Sequence, residues 1–382
     1  MESREKKRIL VLGGGFAGVE CTLKLESYFK NNSNIEITLV SEDNFLLFTP
    51  MLPQVASGTI ETRHIVTPIR TLIKKTRFYE ARIKNIDPYG KVVTLFGTRE
   101  SRGMRIHYDF LVVALGSQTN FFGMKDVEEN SYKMSTINDA ILLRNRIIDL
   151  LEQAENETNP ISRKTLLQIV VVGGGFAGVE TAGEINDFIN EVAEYYPSIN
   201  YKDVKITLIE ATSEILSGFP QKLAMFAKDK LVERGIEVIL QAGVTSFDGT
   251  EITLKSQSES NKVLVGNLME HRGHYKLKEI TSIQSNTLIW TAGTTPIDLI
   301  KESLFKTGRG RIIVNEFLQV SQFPNVFAIG DCSIFDPALS MKKYPPTAQI
   351  AEAHAKSTAY NLKQLLNGNQ MTSFDYTWKG QS

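Results

Sequence analysis

Short apolar runs punctuate the chain, each closed by glycine or by a polar cluster. Residues 9–12, 35–40, 110–115, 169–172, 204–209 and 287–290 are mostly β-branched, aliphatic or aromatic. Runs of that length predict strands buried on both faces of a sheet. Residues 92–96, 237–240 and 311–314 predict further strands. Helical spacing marks 21–29 and 181–192. It also marks 142–155, an amphipathic stretch leading into a polar linker at 157–164.

The order of these elements repeats. Gly13-Gly14-Gly15-Phe16-Ala17-Gly18-Val19-Glu20 recurs unchanged as Gly173-Gly174-Gly175-Phe176-Ala177-Gly178-Val179-Glu180, about one domain length downstream. Each copy follows a strand and precedes a helix and a second strand. In the second copy a polar insertion at 187–203 delays that strand. Two β-α-β units predict an α/β fold with two Rossmann-like dinucleotide-binding domains. We expect 1–130 with 294–382 to form a discontinuous first domain. Residues 165–293 form the inserted second domain, and 131–164 connect them.

The loops carry G-x-G-x-x-G spacing at Gly13, Gly15 and Gly18, and again at Gly173, Gly175 and Gly178. The first glycine permits the tight turn, the second lets backbone approach a pyrophosphate, and the third lets helix pack on strand. Phe16 and Ala17 then open a helix whose free N–H groups and dipole favour an anion. The competing reading is a glycine-rich packing turn with no ligand; two identical copies in strand–loop–helix context weigh against it. After the second strand of unit two stands Glu210. A carboxylate there hydrogen-bonds adenosine ribose hydroxyls and repels a 2′-phosphate. No Arg or Lys occurs at 211–216, so the pattern favours NADH over NADPH. In unit one the matching position is Ser41, and Glu42 one residue later is the candidate ribose contact.

Length, charge and cysteines narrow the rest. A chain of 382 residues suggests two to three domains. Lys+Arg and Asp+Glu are both 43, so no basic stripe is available for a nucleic acid. Four apolar residues before the first glycine run are too few for a signal-peptide core. No run approaches the ~18 residues of a membrane span, so the chain as it stands reads as soluble, with a peripheral membrane role open. Cys21 and Cys332 form no C-x-x-C pair, which argues against thiol–disulfide exchange. Five histidines make no ligand cluster; His271 and His274 read as surface residues, and no metal site is expected.

Together these motifs resemble the type II NADH dehydrogenases, the single-subunit, non-pumping NADH:quinone oxidoreductases among the two-dinucleotide-domain flavoproteins. Beyond the loops, the resemblance rests on residues 44–53 (NFLLFTPMLP), 114–117 (ALGS), 288–293 (LIWTAG) and 328–332 (AIGDC). It also rests on 346–349 (PTAQ) and 376–380 (YTWKG). It implies FAD on the first unit and NADH on the second. It places Ala114, Gly116 and Asp331 at the flavin and Gly293 at the nicotinamide nucleotide. Asp331 is expected after a strand and opening a helix, where an N-cap role is the plain alternative. The resemblance sets Glu180 near both rings, with a part in hydride transfer or in coupling to quinone. The plain alternative is a first-turn Glu favoured by the helix dipole, and the matching Glu20 keeps that alternative alive. Gln349 and Lys379 are carried over to the flavin and quinone region.

Two departures stand out. The family's Ala-Gln-x-Ala-x-Gln motif appears as 348–353 with Ala353 in the last place, followed by His354. Relatives also usually continue with amphipathic helices that hold them to a membrane surface. Here the chain stops at Ser382, which reads either as truncation or as another mode of attachment. The implied activity is NADH to FAD to membrane quinone, peripheral on the cytoplasmic side, with a homodimer among the arrangements left open. Competing readings are a reductase or diaphorase with another acceptor, a sulfide:quinone oxidoreductase, or a non-catalytic flavin and NADH sensor.

Overall fold

The computed structural model describes residues 6–97, 103–258, 260–266, 275–336, 344 and 346–376. The chain forms two compact units, 1–47 with 66–118 and 295–382, and 48–65 with 119–294. In chain order the elements begin β1 (Lys7–Leu12), α1 (Phe16–Tyr28), β2 (Ile35–Ser41), α2 (Leu52–Ala56), β3 (Arg77–Asp87), β4 (Val92–Gly97), β5 (Gly103–His107) and β6 (Phe110–Val113). They continue with β7 (Tyr132–Lys133), α3 (Ile137–Asn156), β8 (Gln168–Val172), α4 (Phe176–Val192), β9 (Lys205–Glu210), α5 (Gln221–Glu233) and β10 (Glu237–Leu240). The last are β11 (Val263–Gly266), β12 (Lys276–Lys278), β13 (Thr287–Trp290), β14 (Val326–Ala328) and α6 (Ala348–Leu366).

In the first unit the sheet order is β14-β6-β1-β2-β3-β4-β5 among the described residues. The first five strands run parallel, and β4 and β5 close the edge antiparallel. Ile9, Leu10, Val11 and Leu12 are all buried, as expected of a central strand covered on both faces. The second unit repeats this plan as β7-β13-β8-β9-β10-β11-β12, with the first five parallel and the last two antiparallel. The glycine-loop strand is third in each order. Even the register matches: Ile9 lies opposite Ile37 and Phe110, and Ile169 opposite Ile206 and Thr287. The duplication read from eight residues therefore extends to whole sheets.

The boundaries differ from the expected ones. Residues 119–164, expected as domain end and connector, belong to the second unit. The Trp290 indole N–H donates to the Asn120 carbonyl at 2.9 Å, Phe121 stacks on Trp290, and β7 pairs with β13. Residues 48–65 join that unit too, because α2 buries Leu52, Pro53, Val55 and Ala56 and packs on α3 and α4. The second unit is thus inserted at two points, not one. Helix α3 starts at Ile137, earlier than 142, because Thr136 and Asp139 form a capping box. The polar linker contains a helix, Pro160–Leu166, capped by the Asn159 side chain. The insertion at 187–203 opens as the last turns of α4.

Candidate functional site

Both glycine loops adopt the same geometry. Gly13 and Gly173 sit at φ +110° and +109°, where a side chain is strained. Their N–H groups donate to Val40 O at 2.7 Å and Ile209 O at 2.9 Å, tying each loop to the neighbouring strand. A Cβ on Gly18 or Gly178 would lie 1.9 or 1.8 Å from the carbonyl oxygen of the first glycine, so only glycine lets helix meet strand. At Gly15 and Gly175 the opposite holds: a Cβ would meet nothing within 4 Å. That open face lies at the N-termini of α1 and α4, neither of which has a side-chain cap or a first-turn acid. A packing turn has no need of a bare second glycine. Uncapped N–H groups beside an open backbone fit a pyrophosphate.

The strand-end acids differ between the units. Glu210 closes β9 and folds back on its own loop, accepting from the Gly174 N–H at 2.6 Å and the Thr212 N–H at 2.8 Å. The carboxylate is thereby fixed beside the glycine turn, where a ribose diol is recognised. In the first unit Ser41 is buried against Gly14, and Glu42 is exposed. Two acids missed by the sequence reading stand with Glu42. The Asp43 carboxyl is raised by burial and then by Glu42 and Glu80. Glu80 on β3 pairs in register with Ser41 and accepts from the Asn44 amide at 3.2 Å. Only the β2–β3 pairing brings Glu80 there, so local sequence carries no signal for it.

Ala114 follows β6, and its carbonyl lies against Gly13. Gly116 turns at φ +64° with open space where a side chain would be. Ser117, the last residue of the ALGS motif and a site residue the motif alone does not single out, donates its hydroxyl to Asp331 Oδ2 at 2.9 Å. Asp331 lies in a single 3-10 turn, Gly330–Cys332, between β14 and a short strand. It does not open an α-helix or cap one, and its carboxylate accepts from Ser117. Gln349, exposed in the first turn of α6, accepts from the Tyr376 hydroxyl at 3.3 Å. Tyr376 begins the terminal motif, while Lys379 lies outside the described residues. So do His271 and His274.

Gly293 turns at φ +74° beside the Phe122 ring, and its carbonyl accepts from Asn120 N–H at 3.2 Å. Thr291 donates its hydroxyl to the Val172 carbonyl at 2.7 Å, joining β13 to the base of the loop.

The two copies of the closing glutamate have opposite surroundings. Glu20 faces cations, with Lys24 Nζ at 3.7 Å and Lys356 Nζ at 3.6 Å. Glu180 faces Glu184 one helical turn on, and its carboxyl is raised by burial first and by Glu184 second. Glu184 is held in place by Gln54 Nε2 at 3.2 Å, Ser57 Oγ at 2.8 Å and Thr59 Oγ1 at 3.4 Å, all from α2 and the turn after it. Glu180 is the fifth residue of α4, beyond the first turn where the dipole acts most strongly, which weakens the dipole reading. An acid that keeps its proton more readily than usual is suited to hydrogen-bonding or protonating a neighbour.

Both thiols are buried. Cys332 donates to the Ile329 carbonyl at 3.2 Å, and burial pushes its pKa to about 11; burial also raises Cys21. Neither suits thiolate chemistry. No helix among the described residues is long and apolar enough to cross a membrane.

Comparison with known proteins agrees with this architecture. The family model for pyridine nucleotide-disulphide oxidoreductases matches residues 7–355. An external alternative NAD(P)H-ubiquinone oxidoreductase of Arabidopsis thaliana mitochondria is 33% identical over 374 residues, 94% of this chain and 60% of the relative. A type II NADH:quinone oxidoreductase of Staphylococcus aureus is 29% identical over 384 residues, 99% of this chain and 87% of the relative. The solved structure of NDH2 from Plasmodium falciparum in complex with NADH superposes with a TM-score of 0.84 at 24% identity. It covers 98% of this chain and 87% of that one, and establishes the fold. The chain spans 60% and 55% of the length of two plant relatives it matches.

Proposed function

The chain belongs to the pyridine nucleotide-disulphide oxidoreductase family, and from that premise we propose that it is a non-pumping NADH:quinone oxidoreductase. FAD occupies the first glycine unit and NADH the second. The acceptor is a membrane quinone, met at the cytoplasmic surface of a membrane. The observation that carries the reading is the doubled cradle: two loops, each open at its second glycine, with Glu210 fixed beside one and Asp331 assigned to the other. The name of the staphylococcal relative supports NADH as donor, and both names support a quinone as acceptor, the plant relative's covering NADH and NADPH alike.

Bound NADH supplies a hydride and bound FAD a two-electron ring, so the protein's part is position and charge. The uncapped N-termini of α1 and α4 hold the pyrophosphates. Glu210 holds the adenosine ribose and disfavours a 2′-phosphate. Asp331, steadied by Ser117, takes the ribityl or pyrophosphate hydrogen bonds of the flavin. Glu180, with its carboxyl raised by burial and by Glu184, would hydrogen-bond or protonate at the reacting end, and Gln349 and Lys379 would serve the flavin and quinone end.

An anaerobic NADH titration of the purified protein, followed by flavin absorbance and then a short-chain quinone, tests the reading. Bleaching on NADH and recovery on quinone are expected. Flavin that NADH does not bleach would remove the dehydrogenase assignment. Ala353 favours a second reading, a diaphorase with another acceptor, because a methyl stands where the motif of the resembled family has a glutamine. Bleaching that a ferredoxin or dye reverses and quinone does not would select it.

A further inference from the structure

His354 follows the altered motif position and lies on α6, one turn beyond Ala351. It is 5% exposed, and its ring is boxed by Phe374 at 4.7 Å, Phe335 at 5.7 Å and Tyr344 at 6.5 Å between centroids. One polar contact is made to the backbone: the Gly330 N–H donates to His354 Nδ1 at 3.2 Å. That bond assigns the tautomer, with the lone pair on Nδ1 and the proton on Nε2. Burial lowers the pKa to about 3, so the ring stays neutral and Nδ1 stays an acceptor. Gly330 is held from two further sides. It turns at φ +70°, and a Cβ there would lie 3.3 Å from Ala17 Cβ and 3.7 Å from Ala351 Cβ. The next residue is Asp331.

We infer that His354 is a positioning residue for FAD binding, acting through Gly330 on the turn that carries Asp331. Without an acceptor behind it, the part-buried Gly330 N–H would lose its partner, and the turn would relax to satisfy it. The relaxation would move Asp331 and its bond from Ser117. The inference rests on the assignment of Asp331 to FAD.

The test uses the holoprotein with His354→Leu, which keeps bulk and removes the acceptor, and His354→Gln, whose amide oxygen can replace Nδ1. FAD affinity, the flavin absorption spectrum and the flavin midpoint potential are measured together with the melting temperature. His354→Leu should bind FAD about tenfold more weakly and shift the potential. His354→Gln should recover most of both. A folded Leu variant with wild-type affinity, spectrum and potential would overturn the inference while leaving FAD in place. A flavin-free wild type would overturn the FAD assignment itself and the inference with it. Should His354→Leu fail to fold, nitrogen NMR of the wild-type holoprotein decides. An Nε2-protonated ring that does not titrate between about pH 5 and 8 is expected, and a ring that titrates near 6.5 refutes it.

Discussion

Replacing Glu210 by glutamine gives the most quantitative test of the second cradle. The carboxylate accepts two backbone N–H bonds, at 2.6 and 2.8 Å. A hydrogen bond to a charged group contributes about 1.5–3 kcal/mol, and the ribose diol would be gripped in the same range. Glutamine keeps one oxygen acceptor and loses the charge, so NADH should lose on the order of 1.5 kcal/mol, or about tenfold in KM. For NADPH the charge itself is the obstacle. Two charges about 5 Å apart repel by on the order of 3 kcal/mol at an effective dielectric of 20, and salt removes part of this. Relief of about half adds another factor of ten. The ratio of kcat/KM for NADH over NADPH should therefore fall by about 100-fold in Glu210→Gln. Steady-state rates with both nucleotides and one short-chain quinone measure it, with a melt to show that the loop still folds. A folded variant whose preference moves less than about threefold would remove Glu210 from the nucleotide site.

Gly175→Ala should leave the melting temperature nearly unchanged, because its Cβ meets nothing within 4 Å, yet weaken NADH binding; unchanged binding would mean no backbone approach occurs there. Gly178→Ala should cost several kcal/mol, on the order of an overpacked core, since its Cβ would sit 1.8 Å from the Gly173 oxygen; a normal melt would contradict the loop geometry. Asp331→Ala should yield flavin-poor protein and Ser117→Ala a partial loss of about fivefold in FAD affinity, read by flavin-to-protein absorbance. Glu180 has a raised carboxyl pKa, so its contribution to stability is present at low pH and lost as pH rises through the folded value. Glu180→Gln should thus melt higher than wild type at neutral pH while turning over more slowly. A variant that is less stable and equally fast would point to a purely structural glutamate.

The architecture was legible where chemistry is local. The glycine loops set strand, turn and helix together, and strands β10 and β13 begin and end where their apolar runs do. Strand β3 was missed because it alternates charge with bulk over Arg77–Asp87, with Arg77, Glu80 and Lys84 breaking any apolar run. Helix α5 was missed for a related reason: Leu223, Met225 and Phe226 are exposed, so its apolar residues do not trace one buried stripe. Among site residues, Glu210 announced itself by closing a strand, and Asp331 came from the family resemblance. Glu80 and Ser117 did not announce themselves, because each acts on a residue distant in sequence; Glu184 acts on Glu180 one turn away, but the Gln54, Ser57 and Thr59 side chains that hold it are distant. The fates of Glu20 and Glu180 were half legible: the octapeptides are identical, but Lys24 lies one turn beyond the first glutamate and Glu184 one turn beyond the second, and only Lys356 on α6 comes from afar.

That identity has a consequence for how cofactor choice is encoded. Exchanging residues 13–20 with residues 173–180 would leave the amino-acid sequence letter for letter the same. On the proposed function, the octapeptide is a shared grammar for holding a diphosphate and carries no instruction about which dinucleotide arrives. The instruction must be written in the flanks, where Ser41, Glu42 and Asp43 stand against Glu210. Engineers who wish to retarget either unit should transplant those borders and leave the glycines alone.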